Sequence, residues 1–338
     1  MKKKNISIKE IADLSGVSVA TVSRVINNNG RFSEKTKLKV LRVIEATNYE
    51  TNTVAKSLRM KKSNTVGILV PDISNAFFSA LVQKLESHLF EEGYSTIICN
   101  TNRSKEKESA YLKTLESKMV DGLIVISGQK EFAQGSVDRR MPVICIDRKP
   151  KDGEGIVLIH SDNYQGGVAA TEELIRCGCK KIALLANQTA MSSFKYRREG
   201  FMDTLRAHQI SVDPVHDVEV APIAGLSQTE AAKATLLEYF RAGVVYDGIF
   251  ALNDRLAIGA IEAVLDVGLK IPDDIKIVGF DNDPISKYCH PKLTTIKQNT
   301  EGLSQKACVA LLTLINGKAV DDMQQVVPIE FIKRGTTP

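Results

Sequence analysis

The sequence predicts an α/β core of two lobes, preceded by a small, all-helical N-terminal domain. Two observations support this prediction. Positive charge is concentrated at the start of the chain, and from about residue 65 continuous apolar runs alternate with helical patterns. Continuous apolar strands indicate parallel sheets that helices cover on both faces. With 338 residues, the chain is long enough for two or three domains.

Composition excludes several classes of protein. Apolar residues make up 43% of the chain and charged residues 25%, which is typical of globular rather than disordered or fibrous proteins. No stretch approaches the roughly 18 uninterrupted apolar residues of a membrane span. The polar residues that follow Met1 argue against an export signal, and six cysteines without a Cys-x-x-Cys pair fit reduced thiols. We therefore expect a cytoplasmic protein that binds no metal and no membrane.

The charge is spread unevenly along the chain. Residues 1–62 carry 14 Lys and Arg against 5 Asp and Glu, whereas residues 63–338 carry 31 against 35. A basic head on a mildly acidic body is typical of a nucleic-acid-binding module joined to a separate domain. A solvated basic surface would have the same composition, so the local pattern of the head has to decide between the two.

The pattern of the basic head predicts three short helices. Ser7 and Glu10 form a capping box before the first helix, and Gly16 supplies a left-handed stop. Ser18 caps a second helix that runs from Val19 to about residue 27. Two helices separated by so few residues indicate a helix-turn-helix motif. Three apolar residues of the third helix are expected to face its core: Leu38, Leu41 and Ile44.

Three segments carry a resemblance to a known family. Residues 17–27, VSVATVSRVIN, closely resemble the recognition helix of the lactose-repressor family of bacterial transcription regulators. Asn52 and residues 55–59 resemble the hinge helix of that family, and residues 68–72 resemble its first core strand. The resemblance continues to the C-terminus. It implies a DNA-binding repressor whose core is periplasmic-binding-protein-like, with two lobes joined by three crossovers.

The resemblance also implies domain boundaries. These are a helix-turn-helix domain over residues 1–50, a hinge helix over 51–62, and a sugar-binding and dimerisation core over 63–338. The crossovers are expected near residues 161, 292 and 324. The first lobe would then span residues 63–161 and 293–323, and the second lobe residues 162–292 and 324–338. The family often has proline where this chain has Thr51, which should make the hinge helix less stable away from DNA.

The apolar runs of the core are expected to be its strands. A first set covers residues 66–70, 96–99, 122–126 and 142–146. A second set covers residues 156–159, 182–186, 218–220, 248–251 and 275–280, and a last strand is expected over 326–332. Two consecutive sets predict two similar lobes, each with ligand-facing loops at the carboxyl ends of its strands.

The second helix of the head supplies the candidates for contacts with DNA bases, because its first residues would enter the major groove. Arg24 can donate two hydrogen bonds to guanine, whereas Val19 and Ala20 can contact a thymine methyl group. Packing inside the head is the alternative for Val19 and Ala20. Thr21 and Ser23 are better suited to phosphates, which position the helix without specifying a sequence.

In the hinge, the resemblance assigns DNA contacts to Ala55, Lys56, Leu58 and Arg59. The family uses the counterpart of Leu58 as a wedge that enters the minor groove, unstacks one base step and bends the duplex. The charged neighbours Lys56 and Arg59 leave this leucine little local core to join. Burial against the body of the protein is the alternative for Leu58.

Polar and aromatic residues follow the predicted strands, where a cleft between two lobes would lie. They match the sugar-contacting positions of the ribose-binding branch of the fold: Asn75, Phe77, Phe78, Asp147, Arg148, Arg197, Asn253, Asp281 and Gln298. Carboxylates and guanidinium groups each bind adjacent hydroxyls, and aromatic rings cover the apolar face of a sugar. Two Asp balanced by two Arg favour an uncharged ligand. Core packing of the phenylalanines and a structural Asp147–Arg197 ion pair are the alternatives.

No catalytic motif is present: the sequence lacks a P-loop, a His-Glu-x-x-His and a Gly-x-Ser-x-Gly pattern. We therefore expect no catalytic residues and no cofactor. The prediction is a homodimeric repressor that releases operator DNA when it binds a small neutral sugar, D-ribose in particular. One alternative is a regulator of the same family whose DNA binding is strengthened by a purine or a phosphorylated partner protein. Another is a transport protein, which would need an export signal and no basic head.

Overall fold

The computed structural model describes residues 6–47, 49, 62–126, 141–148, 155–187, 192–211 and 214–338. The chain divides into two compact units, Met1–Ser63 and Asn64–Pro338. The hinge candidates Ala55, Lys56, Leu58 and Arg59 lie outside the described residues, so the hinge helix stays a prediction.

Three helices build the N-terminal unit: α1 (Ile8–Ser15), α2 (Val19–Ile26) and α3 (Glu34–Thr47). The predicted capping box is confirmed, because the Glu10 backbone N–H donates to Ser7 Oγ at 3.3 Å and the Ser7 N–H donates to Glu10 Oε2 at 2.7 Å. Gly16 ends α1 with a φ of 60°, and Ser18 Oγ accepts from the Thr21 N–H at 3.2 Å. Local capping chemistry thus fixes the turn between α1 and α2.

The core of this unit is small and consists of five buried residues: Ile11, Ala12, Val22, Val25 and Val40. The expected core face of α3 is wrong in part, because Leu38 is 53% exposed and Leu41 is 42% exposed. The buried face of α3 instead runs through Val40 and the partly buried Ile44. These two residues are four positions apart and lie on one side of a helix, whereas Leu38 lies on the opposite side.

The second unit contains two six-stranded sheets. The first sheet has the order β11-β5-β4-β3-β1-β2 and is parallel throughout; its strands are β1 (Thr65–Val70), β2 (Ser95–Asn100), β3 (Gly122–Ile126), β4 (Val143–Ile146), β5 (Val157–Ser161) and β11 (Gln324–Val327). The second has the order β12-β10-β9-β8-β6-β7; its strands are β6 (Ile182–Asn187), β7 (Asp217–Val220), β8 (Gly248–Ala251), β9 (Lys276–Asp281), β10 (Thr294–Lys297) and β12 (Glu330–Ile332). Only β12 runs antiparallel to its neighbour among these described strands.

Helices cover both sheets. The first lobe carries α4 (Ala76–Glu91), α5 (Lys105–Ser117) and α11 (Thr300–Ile315). The second lobe carries α6 (Asn163–Arg176), α7 (Ser192–Ala207), α8 (Gln228–Arg241), α9 (Asp254–Asp266) and the short α10 (Ile285–Tyr288). Leu81 and Leu85 of α4 share a buried cluster with Leu303 and Leu311 of α11, while Leu112 of α5 belongs to a separate cluster. The fully apolar strands are therefore covered on two faces, as predicted.

The crossovers between the lobes correct the expected boundaries. The first lies at Asp162, but the second follows β10 rather than residue 292, because β10 pairs with β9 of the second sheet. The third lies between β11 and β12, so the single strand expected over 326–332 is two strands in different sheets. Likewise, the apolar run at 156–159 belongs to the first sheet. An apolar run predicts a strand but does not identify its partner, which is chosen by long-range hydrogen bonding.

Helices α6 and α7 pack backbone to backbone. A Cβ atom on Gly167 would lie 2.2 Å from the carbonyl oxygen of Arg197, and one on Gly200 would lie 2.2 Å from that of Tyr164. Both obstacles are backbone atoms, so neither helix can accept a methyl group without moving. This close approach holds the buried Arg197 against the start of α6.

We expect Gly200→Ala to lower the free energy of unfolding of the full-length protein by about 1–3 kcal/mol, because the added methyl group overpacks the contact between α6 and α7. Urea denaturation measures this loss. Gln165→Ala, an exposed position on α6, is the matched control and should change stability little. Equal stabilities of the two variants would contradict the packing argument.

Candidate functional site

A cavity lies between the two lobes of the second unit. Its wall is formed by Asn75, Phe77, Phe78, Arg103, Asp147, Ser193, Phe194, Arg197, Asn253, Asp281 and Gln298. The carboxyl ends of parallel strands meet there, since Asp147 follows β4, Asn253 follows β8 and Asp281 ends β9. Eight of the nine residues expected to bind the ligand therefore lie on one wall.

Arg148 is the ninth, and the structure does not bring it to the cavity. Its Nη2 atom donates to Glu108 Oε1 of α5 at 2.9 Å, and the two side chains are only 1% and 7% exposed. Asp147 and Arg148 directly follow β4, and the left-handed backbone of Asp147, with a φ of 52°, ends the extended strand there. Asp147 faces the cleft, whereas Arg148 forms a buried ion pair beneath the first sheet.

Three residues of the wall were not expected from the sequence: Arg103, Ser193 and Phe194. Arg103 follows β2 and has a φ of 59°. Its position after a strand was a usable signal, because that is where the other wall residues lie. Phe194 and Ser193 are in the first turn of α7, and nothing in their local pattern distinguishes them from core residues. The wall thus contains two arginines, Arg103 and Arg197, beside two aspartates.

Arg197 is the most enclosed charge of the wall, with a side chain only 3% exposed. Its Nε atom donates to Asn163 Oδ1 at 2.8 Å, and Nη1 donates to the Leu252 carbonyl oxygen at 2.5 Å. The same Nη1 atom lies 3.5 Å from Asp281 Oδ1, and the ring of Phe280 lies 3.5 Å from the guanidinium carbon. Burial lowers the pKa of Arg197, although the neighbouring aspartates partly oppose this shift.

The two aspartates come from opposite lobes. Asp147 Oδ1 accepts from the Ser161 N–H at 3.2 Å and from Asn163 Nδ2 at 3.1 Å, and Asp281 Oδ1 accepts from Gln298 Nε2 at 2.6 Å. Burial raises the pKa of both carboxyl groups, and Arg197 opposes both shifts. These three hydrogen bonds engage Oδ1 of the two carboxyl groups, so a ligand can bind through Oδ2.

The remaining wall residues divide into structural and ligand-facing roles. Asn75 and Asn253 cap α4 and α9 through Oδ1, so each has its amide nitrogen left for a ligand. Gln298 accepts from Ser161 Oγ at 2.7 Å and donates to Asp281, so it orients that carboxylate. Phe77 and Phe78 pack edge to face, with 5.3 Å between their ring centroids. They belong to the buried apolar cluster of the first lobe as well as to the cavity wall.

In the N-terminal unit, α2 presents its candidate residues to solvent. Val19 is 40% exposed, and Ala20 and Arg24 are also exposed, so packing inside the unit does not explain the two apolar side chains. Thr21 and Ser23 are half-buried, and Thr21 Oγ1 lies 2.9 Å from Ser18 Oγ. The exposed face of this helix therefore combines one guanidinium group with two small apolar side chains, as a major-groove contact requires.

Comparison with known proteins gives the same division of the chain. The profile of bacterial regulatory proteins, lacI family, matches residues 7–52, and that of a periplasmic binding protein-like domain matches residues 171–337. A ribose operon repressor from Halalkalibacterium halodurans is 34% identical over 98% of this chain and 97% of its own length. The HTH-type transcriptional repressor PurR from Pasteurella multocida is 31% identical over 93% of both chains.

The chain belongs to the LacI family. Among solved structures, the Lac repressor dimer bound to operator and the anti-inducer ONPF has a TM-score of 0.86, with 27% identity over 99% of both chains. A LacI family transcriptional regulator from Enterococcus faecium with bound ribose has a TM-score of 0.70, with 30% identity over 81% of this chain and 98% of its own.

The predicted family and fold are confirmed, and the LacI-family chain is a DNA-binding transcriptional repressor with a ligand-binding domain rather than an enzyme. Within the described ranges, no helix is long and apolar enough to cross a bilayer. Those ranges also contain no cluster of three His, Cys, Asp or Glu side chains that could hold a metal ion.

The buried carboxyl of Asp281 makes stability depend on pH. Burial raises its pKa to about 7, so the folded state holds this proton more tightly than the unfolded state. Its stabilising contribution is fully present below the ordinary aspartate pKa and is lost as the pH rises through about 7. Over that range we expect the free energy of unfolding to fall more steeply than in Asp281→Asn, by up to roughly 1 kcal/mol per pH unit. Identical slopes in urea titrations would contradict this.

Proposed function

We propose that the repressor acts in the cytoplasm as a homodimer and releases its operator when a small neutral sugar, D-ribose in particular, binds between the lobes. One observation carries the proposal: Asp147 of the first lobe and Asp281 of the second flank Arg197 on one cavity wall. Each carboxylate accepts hydrogen bonds from adjacent hydroxyls, and the guanidinium group donates to hydroxyl oxygens. A polyol can therefore join the two lobes.

The charges and the aromatic rings of the wall favour a neutral monosaccharide. The wall balances Asp147 and Asp281 against Arg103 and Arg197, and the rings of Phe77 and Phe78 suit the apolar face of a sugar. The ribose operon repressor among the relatives and the ribose-bound structural neighbour support ribose as the ligand.

In the proposed mechanism, sugar favours a closed arrangement of the lobes, which shifts the first lobes against each other across the dimer. The two hinge segments then separate, lose helical structure and dissociate from the centre of the operator. The dimeric state of the structurally similar Lac repressor on operator DNA supports two heads acting together on a near-palindromic site. Because coupling is reciprocal, operator must weaken sugar binding by the same factor as sugar weakens operator binding.

We expect ribose to weaken operator binding about 5–150-fold, which corresponds to a coupling of about 1–3 kcal/mol. Asp147→Asn should lower ribose affinity at least about tenfold, because a charge-assisted hydrogen bond is lost, while operator affinity without sugar stays unchanged. Asp203→Asn, an exposed position on α7, is the matched control. Calorimetry with ribose and other pentoses measures the sugar affinity, and fluorescence anisotropy of a labelled operator measures the operator affinity. Tighter operator binding with ribose would reverse the proposed sign, and no ribose heat would exclude this effector.

We also expect the head and the hinge to contribute to DNA binding in different ways. Arg24→Ala should cost about 1–3 kcal/mol of operator affinity and relax the preference for one base pair. Leu58→Ala should instead reduce the bend of the operator, because the wedge is removed. Operator affinity follows from anisotropy, and energy transfer across the duplex reports the bend. Arg206→Ala, an exposed arginine of the second unit, is the charge-matched control. An unbent operator with the unaltered protein would contradict the wedge.

The purine-dependent regulator is the second candidate function. The PurR relatives at 31% identity favour it, and a purine ring could stack on Phe77 or Phe78. It predicts the opposite sign, since the ligand would strengthen operator binding. Calorimetry that gives heat with purine bases and none with pentoses would select this function over the first.

A further inference from the structure

A charged side chain outside the cavity wall joins the two lobes. Arg255, the second residue of α9 in the second lobe, donates through Nη2 to the backbone carbonyl oxygen of Ser74 in the first lobe. Its Nη1 atom lies 3.6 Å from Asp72 Oδ2, which belongs to the same turn between β1 and α4. One guanidinium group therefore binds both a carbonyl oxygen and a carboxylate across the cleft.

The acceptor turn is itself held in shape. Asp72 Oδ1 accepts from the Ser74 N–H at 3.0 Å and from Ser74 Oγ at 2.6 Å, so the two acceptors of Arg255 are fixed relative to each other. This turn leads directly into Asn75, which is part of the cavity wall. A shift of Arg255 relative to the turn must therefore move the wall.

A second contact across the lobes lies beside the first. Asp283, which follows β9 of the second lobe, lies close enough to the backbone N–H of Phe77 in the first lobe for that group to lower the pKa of its carboxyl. Burial raises the pKa of Asp283, and the charge of Arg255 opposes that shift, as expected for close neighbours. Arg255 thus interacts with an acidic group of each lobe, Asp72 of the first and Asp283 of the second.

We propose that Arg255 is a latch for the cleft: its bonds to Ser74 and Asp72 hold the lobes together, and it sets the affinity for the effector without touching it. This inference rests on the proposed function, since it concerns the same cleft. The apparent affinity of a ligand scales with the populated fraction of the state that binds it. A bond that joins the two lobes favours the arrangement in which they stay together, so it should tighten the binding of a ligand held between them, mainly by slowing dissociation.

The test uses the full-length protein and the Arg255→Gln variant. The variant should bind D-ribose about five- to twentyfold more weakly, with the change mainly in the dissociation rate measured by stopped flow. Arg255→Lys keeps the charge but not the two-pronged geometry and should recover part of the loss. Arg206→Gln, which removes an exposed arginine that pairs with Asp203, is the matched control and should leave both rates unchanged.

Ionic strength separates a latch from a merely structural residue. Because ribose is uncharged, salt should weaken its binding to the unaltered protein through the Arg255–Asp72 pair, and Arg255→Gln should lose that dependence. Asp72→Asn, which keeps an acceptor for Ser74, should lose the same salt dependence, but it should weaken ribose binding less than Arg255→Gln because the bond from Arg255 to the Ser74 carbonyl oxygen remains. The double variant should be no weaker than Arg255→Gln alone, because Asp72 acts on the cleft through its pair with Arg255.

Hydrogen exchange without sugar gives a readout that does not need the proposed effector. Backbone amides of residues 72–78 should exchange faster in Arg255→Gln than in the unaltered protein and the Arg206→Gln control. Faster exchange with no ribose binding by any variant would support the latch and reject ribose. Unchanged exchange together with unchanged ribose kinetics would overturn the latch, whatever the effector.

Discussion

The cleft is organised around one buried positive charge, the guanidinium group of Arg197. A buried charge is costly unless hydrogen bonds and opposite charges surround it. Its donors reach Asn163 of α6 and the carbonyl oxygen of Leu252 after β8, and Asp281 of β9 lies opposite. Satisfying this single group requires the ends of three elements to converge. Since Gly200 permits the backbone contact that holds α7 against α6, the packing of two helices determines where the cleft has its charge.

Backbone strain is placed at the same point. Asp281 and Asn282 have φ values of 108° and 57°, which side chains other than glycine rarely adopt. Contacts on both sides hold this turn. Arg334 Nη2 donates to Asn282 Oδ1 at 2.5 Å, and the backbone N–H of Asp283 donates to Asp254 Oδ2 at 2.7 Å. Gly279 leaves room for Asp254, because a Cβ there would lie 2.3 Å from its Oδ1 atom. The backbone that carries the Asp281 carboxylate is thus held by hydrogen bonds of the two residues that follow it.

Features that depend on neighbouring residues in the chain could be predicted from the sequence, whereas features that depend on contacts between distant residues could not. Gly16 ends its helix through local chemistry, so the helix caps could be predicted. Residues that follow parallel strands meet at one edge of the sheet, so most of the cavity wall could be predicted as well. Arg148 could not, because its direction depends on Glu108, which lies 40 residues away in the chain. The placement of β10 in the second sheet was missed for the same reason, since its partners are set by distant hydrogen bonds. Arg103 was missed although it follows a strand, because the family resemblance did not assign that position a role.

The first turn of α9 explains how the cleft and the contact between the lobes can change together. Asn253 caps the helix and lines the cavity, Asp254 is buried against the second sheet, and Arg255 reaches the first lobe. These are consecutive residues of one rigid element, so a ligand that moves Asn253 must also move Arg255. Occupancy of the cleft and the contact that holds the lobes together are therefore coupled through the first turn of one helix.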